Sequence, residues 1–258
     1  MADTVLYDRD NHVATITYNR PEARNAINAE LRQDLNAAWE RFRDDENAWI
    51  GIVTGAGDSF CAGADMKDPA GSAGTWPGSF WEIPTINSYE SGLEVWKPTI
   101  AAVNGHCLGY GLTLVTRCDF VVAADNAQFG FPEVRLGVPT IVGALRLPDR
   151  VGWSNAMELL LTGERFDASH AQEIGLAWKV VPRGDLMTEA RRLADRLLEA
   201  GPLAARATKE VAARGRYLPW AEAVRFGETM RRVAASTEDA AEGMAAGRER
   251  RPPNWKGR

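Results

Sequence analysis

Two short glycine-punctuated segments constrain this chain more than any other feature. They are Phe60-Cys61-Ala62-Gly63-Ala64-Asp65 and Val103-Asn104-Gly105-His106-Cys107-Leu108-Gly109-Tyr110-Gly111, about forty-five residues apart. Each follows an apolar run, Trp49–Thr54 and Thr99–Val103, that reads as a short buried strand. A strand entering such a turn can direct backbone N–H groups toward one small anionic target. A glutamate follows at Glu133, whereas Thr113 stands where a second carboxylate might be wanted. That combination points to an oxyanion site served by one carboxylate.

The rest of the pattern supports an α/β core. Val5–Tyr7 and Val13–Tyr18 flank the polar stretch Asp8-Arg9-Asp10-Asn11, which is expected to be a hairpin turn. Asn28 is placed to cap a helix whose Leu31, Leu35, Ala38, Trp39 and Phe42 recur at helical spacing. The second glycine turn is expected to lead into a helix over Leu112–Cys118 and then a strand over Asp119–Ala124. Strands alternating with helices at this rhythm argue for parallel strands. Beyond residue 150 capped helices dominate: Ser154–Thr162 before Gly163, Ala168–Ile174 before Gly175 and Leu186–Ala200 before Gly201. Pro202 suits the first turn of the next helix, Ser236/Thr237 suit the cap of a later one, and Trp178–Val181 is a late strand. A soft boundary near residues 195–200 separates a core, 1–197, from a helical region, 198–258.

Composition narrows the function classes. With 258 residues the chain can bury a large core without disulfides or metals. A net charge of −5 gives no general basic field for nucleic acid. No apolar run reaches the ~18–20 residues of a membrane span. Three cysteines without a CxxC pair fit a reducing compartment, so a cytoplasmic protein is expected.

Several chemistries fall away. Gly55-Ala56-Gly57-Asp58-Ser59-Phe60 lacks the third glycine of a dinucleotide fingerprint, and no GxxxxGK[ST] loop is present. His12, His106 and His170 are scattered, so no metal site is expected, and His106 reads as structural. No GxSxG elbow presents a serine. Met66–Lys97 is the least regular stretch, with Trp76, Phe80, Trp81, Tyr89 and Trp96 either walling an apolar pocket or pinning the loop. What remains is the pair of turns. Fixed backbone donors of this kind polarise a carbonyl and stabilise the enolate left when an α-proton departs.

At these residues the chain resembles the enoyl-CoA hydratase/isomerase (crotonase) superfamily. The resemblance runs through Asn19–Asn28, Ser59–Lys67, Ala102–Gly111, Cys118-Asp119, Ala127–Gly137, Leu161–Gly163 and the closing Trp255–Arg258. It implies an α/β fold, a crotonase-like spiral of ββα units followed by a C-terminal helical trimerisation region. It further implies acyl-CoA thioester substrates, with coenzyme A entering as part of the substrate and no separate cofactor. A homotrimer or dimer of trimers is expected, with neither nucleic acid nor membrane as partner.

By position, the resemblance assigns the oxyanion-hole amides to Ala64 and Tyr110 and the catalytic carboxylate to Glu133. Glu133 matches the second of the two glutamates of hydratases and Thr113 falls at the place of the first; a hydroxyl orients water but is no base near neutral pH. Arg24, Ala26, Ala62, Asp65 and Met66 match positions along the CoA path, and Trp255 and Lys256 match a tail that in relatives reaches a neighbouring subunit's ligand. Isomerisation is favoured over hydration, because one carboxylate completes a proton shuttle without water. Val138–Arg146 departs from the glycine-rich stretch of typical hydratases, which argues against a straight-chain enoyl group. The alternatives are hydrolysis or C–C cleavage of a β-ketoacyl-CoA, with an acid drawn from Glu82, Glu90 or Glu94, or a non-catalytic acyl-CoA scaffold. Those three glutamates otherwise read as surface carboxylates.

Overall fold

The computed structural model describes residues 3–68 and 88–258; Trp76, Phe80, Trp81 and Glu82 lie outside them. Elements are numbered in chain order. β1 (Val5–Asp10) and β2 (Val13–Tyr18) form an antiparallel hairpin, and β3 (Ile50–Gly55), β5 (Thr99–Val103), β7 (Phe120–Ala124) and β10 (Lys179–Val181) continue the sheet in parallel. The sheet order is β1-β2-β3-β5-β7-β10. The hairpin turn is tighter than the sequence suggests. Asp8, Arg9 and Asp10 remain in the strand, Asp10 pairs with Val13, and the turn falls on Asn11, at φ 51°, and His12. The polar residues are the solvent side of an edge strand, where Arg9 reaches Asp45 at 3.2 Å.

β3 and β5 are buried at every residue, as parallel strands covered on both faces must be. One face carries Ala14, Ile16, Val53, Ala101, Val103 and Val121 against α1 (Ala29–Asp44). The helix presents Leu31, Leu35, Ala38, Trp39 and Phe42, and Asn28 accepts the N–H of Leu31 at 2.9 Å, as the spacing predicts. The opposite face carries Val13, Ile50, Ile52, Ile100, Ala102 and Val122 against the helix Leu186–Leu198.

A second, four-stranded sheet is the part the sequence pattern does not announce. β4 (Ser59–Cys61), β6 (His106–Leu108) and β8 (Gln128–Gly130) run parallel, and β9 (Phe166–Asp167) pairs antiparallel with β8. Strands of two or three residues carry no usable periodicity. α2 (Tyr110–Val115) starts two residues earlier than expected, because Gly109, at φ 52°, turns the chain directly out of β6. α3 (Val142–Val151) contains Pro148 and packs closely through Gly143, where a Cβ would lie 2.6 Å from the Phe131 ring. The helices α4 (Trp153–Thr162), α5 (Ala168–Glu173), α6 (Leu186–Leu198), α7 (Pro202–Gly215), α8 (Trp220–Ala235) and α9 (Glu238–Glu249) follow. Gly163 closes α4 in the left-handed region, and Thr237 caps α9 at Ala240 N. The tail returns to the body: the Trp255 indole donates to the Glu199 carbonyl at 3.1 Å and lies against Gly201 and Gly243.

One buried side chain fixes the loop that leads into β4. Asn25 is fully buried at φ 56°, a region asparagine tolerates better than most residues. Its Nδ2 donates to the carbonyls of Ala56 (3.0 Å) and Ser59 (2.7 Å), while its Oδ1 accepts from Arg20 N (2.9 Å). Asn25→Ala leaves these backbone groups unpaired and is expected to cost about 2–4 kcal/mol, read as a lower midpoint in urea unfolding.

Candidate active site

The short parallel strands assemble the site. β4 pairs with β6 at Cys61↔Cys107, and β6 pairs with β8 at Leu108↔Gly130. All three therefore end at one edge, and the residues just beyond their carboxyl ends meet there. Those residues are Ala62–Asp65 after β4, Gly109-Tyr110 after β6, and Phe131–Glu133 after β8. The carboxyl ends of parallel strands are where α/β proteins bind ligands.

The contacts are close. Gly109 N donates to the Gly130 carbonyl at 2.9 Å, which pins the second turn to the strand that leads to Glu133. A Cβ on Gly109 would lie 3.0 Å from Glu133 Oε1 and 3.8 Å from Gly63 Cα, and one on Gly63 would lie 3.3 Å from the Leu108 carbonyl oxygen. Glycine is required here for close approach as well as for conformation. Both turns and Glu133 converge on one spot.

Ile27 N donates to the Gly63 carbonyl (2.8 Å) and Asp65 N donates to the Ile27 carbonyl (2.9 Å), holding the first turn as a short parallel bridge at Ile27↔Ala64. No acceptor among the described residues takes the Ala64 N–H. Tyr110 is the first residue of α2, so its N–H belongs to the orphan donors of a helix start. Glu133 sits in the 3-10 turn Pro132–Leu136, with Oε2 buried and without a hydrogen-bond partner among the described residues. Burial pushes its carboxyl above the ordinary carboxylate range, against weaker opposing effects of a backbone N–H and the Thr140 hydroxyl.

The segment before α1 lies along this edge. Ala62 N donates to the Arg24 carbonyl at 3.0 Å, and the exposed Arg24 side chain leaves the turn in the left-handed region. Arg20 donates to the Ala26 carbonyl (2.6 Å) and pairs with Asp65 (3.2 Å), whose carboxyl lies below its ordinary range through the Lys67 N–H and then the Arg20 guanidinium. Arg24, Ala26, Ala62 and Asp65 are thus neighbours, with Met66 exposed beside them. Lys256 is elsewhere in the contact pattern: its N–H donates to Asp239 at 2.6 Å, and no described contact joins it to the glycine turns.

A match to the enoyl-CoA hydratase/isomerase family model covers residues 8–258. The chain belongs to the enoyl-CoA hydratase/isomerase family. It is 39% identical to a probable enoyl-CoA hydratase of Mycobacterium bovis, with 98% of each chain covered. It is 36% identical to the (E)-benzylidenesuccinyl-CoA hydratase of Thauera aromatica, covering 98% of this chain and 99% of that one. The crystal structure of a probable enoyl-CoA hydratase/isomerase from Mycobacterium abscessus superposes with a TM-score of 0.91 at 38% identity, covering all of both chains. The fold, with its parallel sheets and C-terminal helices, is that of this family.

Two residues need a revised account. Thr113 is buried, and its Oγ1 would lie 3.0 Å from a Cβ on Gly143, so α3 packs directly on position 113. A glutamate there requires α3 to move. Glu90 is only 2% exposed and its Oε1 accepts the Tyr110 hydroxyl, so it is not the surface carboxylate that its sequence context suggests. Glu94, by contrast, is a surface group paired with Arg214 at 2.7 Å. The polar run Ser88–Ser91 disguises Glu90; only its position beside the buried Tyr89, stacked on Trp39, marks it as inward. His106 has a buried, unpartnered Nδ1, and burial, followed by Arg165 and Arg24, lowers its pKa. Among the described residues no group of histidine, cysteine and acidic side chains has metal-site geometry, and no helix is long and apolar enough to cross a membrane.

Proposed function

We propose that the Ala64 and Tyr110 amides bind the thioester oxygen of an acyl-CoA substrate as its α-proton is removed or returned by Glu133. The observation that carries this reading is the convergence of Gly63, Gly109 and the buried Glu133 carboxylate. Two backbone donors stabilise the enolate oxygen, and a carboxylate with a raised pKa is matched to proton exchange with a weakly acidic carbon. Arg24 supplies the cation for the CoA phosphates, and Ala26, Ala62, Asp65 and Met66 line the path to the thioester.

With Glu133 alone the reaction completed is isomerisation, in which one carboxylate moves a proton between two carbons. A second reading, addition or removal of water, is favoured by the buried Glu90 carboxylate beside Tyr110 and by relatives described as hydratases. The two are separated by mass spectrometry on a panel of enoyl-, dienoyl- and β-ketoacyl-CoA esters. Isomerisation leaves the mass unchanged, hydration adds one water, and hydrolysis releases free CoA. Binding without any turnover across the panel would overturn the catalytic reading in favour of a scaffold.

The assembly follows from the apolar side chains left on the surface. α8 buries none of its residues, and Trp220 (84% exposed), Val233, Tyr217, Leu145 and Ile141 stand out in solvent. Such surface marks a protein interface. Sedimentation is expected to give the mass of three or six chains; a single-chain mass would contradict this. The free, buried Cys61, Cys107 and Cys118 support a reducing, cytoplasmic setting.

A further inference from the structure

Glu90 is the buried titratable group that Glu133-based proton transfer does not use. Its Oε1 accepts the Tyr110 hydroxyl, and its Oε2 is buried with no hydrogen-bond partner among the described residues. A buried carboxylate oxygen without a donor is costly unless it serves a purpose. The main chain on both sides is fixed: the Glu90 carbonyl accepts from Arg146 on α3, and the preceding Tyr89 is fully buried, its hydroxyl 2.9 Å from Thr99 Oγ1. The carboxylate is therefore held in place by its own segment. The Arg32 guanidinium lies 5.3 Å from the Tyr110 ring centroid.

The location connects this pair to the site. Tyr110 and Thr113 are three residues apart on α2 and so share one helix face. α3 packs on this region at two points, with Gly143 against Thr113 and, one turn later, Arg146 donating to the main-chain carbonyl of Glu90. Through the Tyr110 hydroxyl the Glu90 carboxylate is tied to the helix that carries position 113, where the chain offers only a hydroxyl. Tyr110 also follows Gly109, the residue in contact with Glu133 Oε1. One residue, Tyr110, carries both an oxyanion donor and the phenol that reaches Glu90.

We propose that Tyr110 and Glu90 together act as the second proton-handling group of this site, the Tyr110 phenol meeting an oxygen at the β-carbon of the acyl group and Glu90 exchanging the phenolic proton. The substrate class is then acyl-CoA thioesters that carry or acquire a β-oxygen. This rests on the acyl-CoA enolate reading and gives its water-adding branch a residue set. In hydration, the water oxygen bonds to the β-carbon as one O–H bond breaks, and the double-bond pair moves onto the thioester as an enolate. The released proton goes to the Tyr110 oxygen while the phenol's own proton passes to Glu90. The enolate collapses by taking the proton of the Glu133 carboxylic acid at the α-carbon. Solvent exchange then returns a proton from Glu90 to Glu133; dehydration runs the same steps in reverse. Tyr110 is the catalytic residue in this scheme, and Glu90 is a positioning residue that acts through it.

The test compares 3-hydroxybutyryl-CoA, whose β-hydroxyl can donate to the Tyr110 oxygen, with butyryl-CoA, which has no β-oxygen, by calorimetric binding to the full-length protein. Tyr110→Phe and Glu90→Gln are each expected to weaken 3-hydroxybutyryl-CoA by about tenfold relative to butyryl-CoA, the upper end of the range for loss of one hydrogen bond. The double variant is expected to be no worse than Tyr110→Phe alone, because Glu90 acts through the phenol. Glu90→Gln keeps size and an acceptor oxygen, and its thermal melt controls for folding. Equal weakening of both esters, no weakening, or additive effects in the double variant would overturn the proposal. Failure of the wild-type protein to bind either ester would instead overturn the acyl-CoA reading beneath it.

Discussion

Glu133→Gln is expected to lower turnover by about 10²–10⁴-fold while leaving CoA-ester binding within a few-fold, the range for loss of a positioned general acid–base group. Glutamine keeps the shape and the neighbours of the side chain beside Gly109 but neither holds nor releases a proton at the α-carbon. Unchanged turnover would contradict the single-base account. The pH behaviour gives an independent check. Burial raises the Glu133 pKa above its ordinary value, so α-proton removal should fall off with acidification at a pH above the normal glutamate range, and Glu133→Gln should lose that limb. The stability effect has the opposite sense to that of a salt-bridged acid. A raised folded-state pKa favours folding fully below the unfolded value and loses that contribution as pH rises through the folded value. Glu133→Gln should therefore equal or exceed the wild type in stability at pH 7, and the wild type should gain on it as the pH falls toward 4. Urea midpoints across that range measure this.

Gly109→Ala is expected to be the most damaging single-methyl change at the site. The residue sits at φ 52°, ψ −114°, a conformation that costs an L side chain about 1–3 kcal/mol. Its Cβ would also press on Glu133 Oε1 at 3.0 Å. The neighbouring Tyr110 amide and the base are displaced together, so activity should fall by about 10²–10³-fold, the scale of losing one oxyanion donor. Gly175→Ala is the control. It shares a positive φ, 81°, but its Cβ would meet nothing closer than the Arg150 carbonyl at 3.9 Å. A similar loss of stability with activity largely retained is expected there. Equal activity losses in the two variants would assign the Gly109 effect to general destabilisation.

Much of this is legible in the sequence because the responsible signals are local. Asn28 before an apolar stripe specifies α1, and the glycines at 163 and 175 end their helices in the left-handed region. The glycine turns are legible for the same reason, since only that residue permits Gly63 and Gly109 to approach as they do. What the sequence hides depends on long-range pairing. β4, β6 and β8 exist because they pair with one another, and their shared register brings Glu133 to Gly109. Glu90 is hidden for a related reason. A glutamate in a polar run reads as surface, and only tertiary packing of Tyr89 on Trp39 turns it toward Tyr110. Thr113 is visible as a departure from two-glutamate hydratases, but the helix packed against it through Gly143 is not.

The central claim is that Ala64, Tyr110 and Glu133 form one enolate-stabilising, proton-exchanging centre. Its most direct measurement is deuterium incorporation at the α-carbon of a saturated acyl-CoA ester incubated with the protein in heavy water, read by mass spectrometry. This half-reaction needs no knowledge of the natural acyl group and no second substrate. The wild-type protein is expected to incorporate solvent deuterium at the α-carbon, and Glu133→Gln is expected to bind the ester without doing so. Binding of the ester by wild type with no exchange, or exchange that persists undiminished in Glu133→Gln, would contradict the account.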